Sequence, residues 1–290
     1  MGVTETRSAA VRIDAPDGLE PEAILGSLAA HTLPGAELTD SEERTHTRLV
    51  HGPRGRRAIT VRFDEAGLEF TAHAADAAEL PALAELVRTW FDLGADLGPV
   101  REWLRRDDLL NPLLSIRPGL RVIGTTDRFQ TAVTTVLGQQ VSLAAGRTFA
   151  GRLIAAFGSD GPEGLRSFPE PAALVEADAE ELRSAVGLTA SRARTVQALA
   201  SAWLEADGAP NRTELLAVPG IGPWTVDYLA VRYGDRDGFT PGDLVLRKAL
   251  GGITTREAEA RSEPWRPYRA YALMHLWTHT AYTKGARPAI

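Results

Sequence analysis

Apolar and polar positions alternate with period two in four stretches near the start of the chain. They are Ala10-Val-Arg-Ile-Asp14, Arg44-Thr-His-Thr-Arg-Leu-Val50, Ala58-Ile-Thr-Val-Arg-Phe63 and Leu68-Glu-Phe-Thr-Ala72. Alternation sends one set of side chains to one face of an extended chain, so each stretch predicts a strand half buried against a core. Asp64-Glu-Ala-Gly67 joins the last two with hairpin chemistry, which predicts antiparallel neighbours. Pro21 to Leu33 carries Ile24, Leu25 and Leu28 at helical spacing, with Pro21 as a natural first helical residue. The block predicts a small antiparallel sheet with helices on one face.

From about Pro81 the period changes to helical and stays so. Leu83, Leu86, Val87 and Trp90 form an apolar stripe that Phe91-Asp-Leu-Gly-Ala-Asp96 breaks, and the break predicts a boundary between residues 1–95 and 96–290. Asp127 can cap a helix whose apolar face holds Phe129, Val133, Val136 and Leu137. Gly138-Gln-Gln-Val-Ser142 interrupts it, and Ser142 can cap a second helix running to Phe157 and stopped by Gly158. Asp178 with Glu181 reads as a capping box for a helix ending at Gly187. Further helices are predicted from Ser191 to Ala206, from Asp243 to Leu250, and from Pro267 to about Tyr282. The fold class is therefore α+β in the first block and all-α in the second.

Composition narrows the chemistry. With 290 residues and 44% apolar content the chain can bury one large or two modest cores. No apolar run approaches the length of a bilayer span, and Met1-Gly-Val-Thr-Glu-Thr-Arg has neither a basic nor an apolar leader region, which predicts a cytoplasmic protein. The sequence has no cysteine, so disulfides, thiol nucleophiles and cysteine-held clusters are excluded. A net charge of −6 argues against non-specific coating of nucleic acid but leaves room for a local basic face. His31, His46, His51 and His73 have no metal spacing and read as core or solvated side chains. His275 and His279 lie one helical turn apart, without a third ligand or an HExxH pattern, so no metal site is expected.

One stretch organises the rest, Leu216-Ala-Val-Pro-Gly-Ile-Gly-Pro-Trp-Thr-Val-Asp-Tyr228. Two short helices meet there across a turn in which Gly220 and Gly222 permit positive φ and close approach of another molecule. Ile221 is the plug between them. Pro223 suits the first position of the second helix, so the turn offers free backbone N–H groups at a positive helix end, a setting for phosphate. A plain helical corner is the other reading of these residues. Trp224 and Tyr228, four apart, share a helix face and serve either as core or as a stacking surface for a flat ring. Asp243 follows Phe239-Thr-Pro-Gly242 and precedes a helix, so it reads as an N-cap. The same position holds a carboxylate ionised, which suits a reaction that develops positive charge. Arg247 and Lys248 beyond it read as phosphate ligands or as a solvated helix face.

Taken together these residues resemble the helix-hairpin-helix DNA glycosylases of the alkylpurine type, the AlkA-like 3-methyladenine DNA glycosylase II group. The resemblance rests on Phe91 to Asp96, on AVTTVLGQQVS from Ala132 to Ser142, on Pro219 to Tyr228 with Pro241-Gly-Asp243, and on Trp265-Arg-Pro-Tyr-Arg-Ala-Tyr-Ala-Leu-Met-His-Leu-Trp277. It implies an accessory sheet domain followed by an all-α glycosylase domain. It makes Asp243 the catalytic aspartate, puts Trp224, Tyr228 and Trp277 in the base pocket, and gives Gly220, Ile221 and Gly222 the grip on the DNA backbone, with a monovalent cation in the turn as the only cofactor. Gln140 falls where the family inserts a wedge into the gap left by the flipped nucleotide, and departs from the leucine of close relatives. Trp224 stands where strand-cutting relatives carry a lysine, which implies a monofunctional enzyme. The implied partner is double-stranded DNA with damaged bases; a cytoplasmic, nucleoid-associated monomer is expected, since no sequence feature suggests a stable oligomer interface. Two other readings stay open: the same fold aimed at deaminated or oxidised purines, and a non-catalytic helix-hairpin-helix DNA-binding module.

Overall fold

The computed structural model describes residues 8–206 and 208–282. Five strands, β1 (Ala9–Asp14), β2 (Glu37–Asp40), β3 (Thr45–Gly52), β4 (Gly55–Asp64) and β5 (Gly67–Ala72), form one antiparallel sheet in the order β1-β5-β4-β3-β2. The alternation explains the buried face: Ile59, Val61 and Phe63 of β4 and Leu68, Phe70 and Ala72 of β5 are buried, while Arg62 and Glu69 between them are exposed. The β4–β5 hairpin falls at the expected loop, pairing Asp64 with Gly67. Edge strand β2 has no apolar alternation to announce it. Its inward residue is Glu37, whose carboxylate accepts from the Leu33 N–H at 3.1 Å and lies 3.3 Å from Arg48.

Helix α1 (Pro21–His31) and α2 (Leu80–Trp90) cover the sheet as their apolar spacing predicts. The next two helices, α3 (Leu97–Leu104) and α4 (Leu110–Ile116), are short and were not expected from the sequence. Helices α5 (Arg128–Gly138) and α6 (Leu143–Phe157) carry the caps foreseen for them, Asp127 accepting from the Gln130 N–H and Ser142 from the Ala145 N–H. They are followed by α7 (Pro171–Glu176), α8 (Ala179–Val186) and α9 (Ala190–Glu205). At α8, Asp178 accepts from the N–H groups of both Glu180 and Glu181, so the expected capping box is present in its first half. Then come α10 (Arg212–Ala217), α11 (Pro223–Arg232), α12 (Leu244–Ala249), α13 (Thr255–Ser262) and α14 (Arg269–Trp277).

The final predicted helix needs correcting at both ends. It begins at Arg269, two residues beyond Pro267, and gives way after Trp277 to a wider π-type turn over Thr278–Tyr282. All nine residues of α14 are buried, as a helix enclosed on every side must be. Arg269 holds its start through Asp237, with Nε–Oδ1 at 2.9 Å, and the Tyr271 hydroxyl donates to Asp92 at 2.6 Å. That second bond ties α14 to the loop that breaks the α2 stripe.

Two large apolar cores result among the described residues, with a small third cluster of Leu49, Ala58 and Leu165. The first joins the inner face of the sheet and α1–α4 to Val231, Phe239, Leu246, Trp265 and most of α14. The second is built from α5 to α11, with Leu33 and Ala36 added from the first block. Tyr228 packs against both. No helix among the described residues is long and apolar enough to cross a membrane.

Candidate active site

A cavity of about 320 Å³ opens at the seam between the two cores, lined among others by Trp224, Tyr228, Asp243 and Trp277. Sequence spacing brought Trp224 and Tyr228 to one face of α11. In the structure their rings stack at 5.6 Å between centroids with 16° between planes, and Tyr228 meets Trp277 at 5.9 Å and 48°. The result is a continuous aromatic wall drawn from α11 and α14. Pro241-Gly-Asp243 runs beside it closely enough that a Cβ on Gly242 would touch the Trp224 ring at 3.5 Å.

Asp243 is the N-cap of α12, and both of its fixing bonds use the same oxygen. Oδ1 accepts from the Leu246 N–H at 2.8 Å and from Trp277 Nε1–H at 2.9 Å. Among the described residues Oδ2 has no hydrogen-bond partner. The carboxylate is thus rigidly aimed by one oxygen, with the other available to a bound molecule. A carboxylate fixed beside a partly apolar cavity stabilises a nearby cation without reorganising first.

The turn between α10 and α11 has the expected pieces with one change. Gly220 has φ +90°, and a Cβ there would meet Thr195 Oγ1 at 2.3 Å, so both conformation and packing demand glycine. Gly222 instead has φ −111° and open space where a Cβ would lie. Its expected positive φ is absent, because as N-cap it takes the extended conformation that starts α11. Ile221 is buried in the second core, and Pro223 is the first residue of α11.

Gln140 is exposed at the tip of the α5–α6 loop with φ +56° and does not line the cavity. Its neighbour does the anchoring. Gln139 Nε2 donates to the Gly220 carbonyl at 3.1 Å and to Thr225 Oγ1 at 3.0 Å, while Arg192 donates to the Gln139 carbonyl at 2.5 Å. Sequence reasoning passed over Gln139, Thr225 and Arg192, because a bond between loops some eighty residues apart leaves no local pattern. Arg247 turns back to the Ile253 carbonyl at 2.7 Å, and Lys248 is solvent-exposed.

The histidines separate by surroundings. His46 and His275 are buried, and burial next to an arginine pushes each down to about 3, so both are neutral. His51 lies 3.5 Å from Asp127 Oδ2, and that bond raises its pKa. His31, expected in core or solvent, instead lines the cavity. No three His, Asp or Glu side chains among the described residues come together as a metal site.

Comparison with known proteins agrees with this architecture. Residues 12–127 match the AlkA N-terminal domain, and residues 133–266 match the HhH-GPD superfamily of base excision DNA repair proteins. The "Probable bifunctional transcriptional activator/DNA repair enzyme AlkA" of Mycobacterium tuberculosis is 34% identical over 274 residues, covering 89% of this chain and 54% of that protein. This chain therefore spans about half the length of that relative. "DNA-3-methyladenine glycosylase 2" of Escherichia coli is 36% identical over 191 residues, 62% of this chain and 66% of that protein. Among solved structures, the 3-methyladenine DNA-glycosylase of Archaeoglobus fulgidus superposes with a TM-score of 0.78 at 18% identity, covering 93% of this chain and 98% of that one. With an N-terminal antiparallel sheet domain leading into a helical domain that carries the hairpin, the chain belongs to the HhH-GPD superfamily of base excision DNA repair proteins, in its AlkA-like branch.

Proposed function

We propose that the chain is a monofunctional DNA glycosylase of base excision repair that extrudes alkylated purines from duplex DNA, 3-methyladenine and 7-methylguanine among them, and hydrolyses their N-glycosidic bond. The observation that carries this reading is Asp243, held through Oδ1 alone at a cavity walled by Trp224, Tyr228 and Trp277. Extrusion costs a few kcal/mol, and less where alkylation has already weakened stacking. Alkylation at a ring nitrogen makes the base cationic, so the aromatic faces attract it by cation–π as well as by stacking. The C1′–N bond breaks with its electrons moving onto the base, which leaves neutral. Asp243 Oδ2 faces the oxocarbenium-like sugar, and water adds to C1′ as its proton passes to that carboxylate and on to solvent. No strong general acid is required.

Gly220, Ile221 and Gly222 form the clamp on the DNA backbone, with a monovalent cation in the turn, and Gln140 at its exposed tip enters the gap left by the extruded nucleotide. Trp224 at the position of the strand-cutting lysine supports hydrolysis without lyase activity. A protein that only clamps DNA gains nothing from an anion aimed at its ligand, which favours the catalytic reading over a binding module.

The test is release of bases from randomly methylated duplex DNA, measured by chromatography with and without EDTA. The wild type is expected to release both bases, unaffected by EDTA and without strand cleavage before alkali. Asp243→Asn keeps an Oδ1 for both fixing bonds, so stability should change by less than about 1 kcal/mol, while release falls about 10²–10³-fold. Unchanged release from that variant would remove Asp243 from the mechanism. Release confined to hypoxanthine or 8-oxoguanine substrates would redirect the enzyme to deaminated or oxidised purines, and binding with no release at all would leave the clamp alone.

A further inference from the structure

The cavity has a wall that comes from the first block. His31, the final residue of α1, lines it together with Leu33 and, from the other side, Tyr282. The imidazole is fixed in two ways: Nδ1 lies 2.8 Å from the Ser27 carbonyl, and the Tyr282 ring packs edge-on at 5.8 Å and 65°. A carbonyl oxygen only accepts, so Nδ1 carries the hydrogen. Enclosure by protein, followed by the nearby charges of Arg232 and Arg147, holds the ring's pKa down at about 4, so it is neutral. Part of its surface still shows because one edge faces the cavity. In a neutral ring protonated at Nδ1, Nε2 carries a lone pair. Among the described residues Nε2 has no hydrogen-bond partner.

Several other polar groups of the wall already make bonds within the protein. Thr134 donates to the Gln130 carbonyl, Thr135 to the Thr131 carbonyl, Arg147 Nε to the Thr32 carbonyl and Trp277 Nε1 to Asp243. Hydroxyl oxygens aside, the side-chain acceptors that the cavity offers a bound molecule are Asp243 Oδ2, toward the sugar, and His31 Nε2, a ring nitrogen held in one orientation. An acceptor this fixed, in a pocket this aromatic, selects a ring that brings an N–H to it. We propose that His31 is a specificity-determining residue, accepting through Nε2 a hydrogen bond from the 6-amino group of an extruded adenine-type base. A 6-oxo purine sets a carbonyl oxygen against the same lone pair, and the two acceptors repel. The inference rests on the glycosylase reading above for its substrate class.

Randomly methylated DNA tests this with both bases in one tube, since 3-methyladenine carries the 6-amine and 7-methylguanine a 6-oxo group. His31→Phe keeps a ring against Tyr282 and removes the acceptor; the ratio of 3-methyladenine to 7-methylguanine released should fall about tenfold, the worth of one hydrogen bond. His31→Gln, which restores an acceptor, should recover part of it. An unchanged ratio in His31→Phe, whatever the total released, overturns the proposal, as does an equal fall for both bases. If the wild type releases neither base, the glycosylase reading has failed on its own, and His31 is judged by binding. Quenching of tryptophan fluorescence by free adenine and free hypoxanthine should show an adenine preference in the wild type that His31→Phe loses; equal affinities in the wild type overturn the assignment.

Discussion

Gln139 shows how a single side chain can join one loop to both a turn and a helix distant in sequence. Its amide bonds at once to Gly220 in the hairpin turn and to Thr225 in α11, while its own carbonyl is held by Arg192. Gln139→Ala leaves the Gly220 carbonyl and Thr225 without that donor, at a cost of about 1–2 kcal/mol. Duplex affinity should fall with it, because Gln140 then projects from a loop that keeps the Arg192 bond but has lost its tie to the turn and to α11. Filter binding with Gln139→Ala and Gln140→Ala side by side checks this: loss in Gln140→Ala alone would mean that the anchor is idle. The cap position of Asp243 and the shared face of Trp224 and Tyr228 are legible from turn and helical spacing, whereas Trp277 joins them in the sequence reading only through the family resemblance. His31 and Gln139 were not legible. One lies at the end of a helix more than two hundred residues before Asp243, the other matters through its contacts with a distant turn, and neither leaves a periodic trace.

At the scale of elements, the two hairpin glycines serve different purposes. Gly220→Ala must adopt φ +90° and push against Thr195, which should cost about 1–3 kcal/mol of stability, read as a lower urea midpoint. Adding Thr195→Ala should return only part of the loss, since the backbone penalty stays. Gly222→Ala has neither problem and should fold like the wild type, whereas Gly222→Trp fills the approach to the turn and should weaken binding to damaged and undamaged duplex alike. A wild-type midpoint for Gly220→Ala would refute the distinction. Elements with long periodic patterns, β4, β5, α5, α6 and α9, were readable in advance for that reason. Short ones such as β2, α3 and α13 were not: β2 points a glutamate inward, and α13 is half charged residues with no apolar stripe, its start fixed by the capping box of Thr254 with Glu257. The position of β2 follows from tertiary pairing that local propensity does not contain.

The molecule as a whole keeps three histidines neutral, His31 at about 4 and His46 and His275 at about 3, each through enclosure by protein first and nearby arginine charge second. Their pKa values in the fold lie below the ordinary 6.5, so as pH falls through 6.5 the unfolded chain takes up protons that the fold refuses. Stability should therefore decline from pH 6.5 toward 4, by up to about 1.4 kcal/mol per pH unit for each proton taken up. Urea titrations across that range with the wild type and with His46→Phe check the sign; a wild type whose stability holds flat down to pH 4 would show that these rings ionise in place. The path of the chain through the two cores has a further consequence. The first core takes residues from Ile13 to Ile123 and again from Val231 to Trp277, while the second closes with Leu229. A ribosome delivering this chain in order releases a complete second core, hairpin included, while the sheet still waits for the helix that seals it. The aromatic pocket needs Trp277 and so follows the turn between α10 and α11 in time: that turn and the core beneath it are complete before the cavity beside them has its full wall.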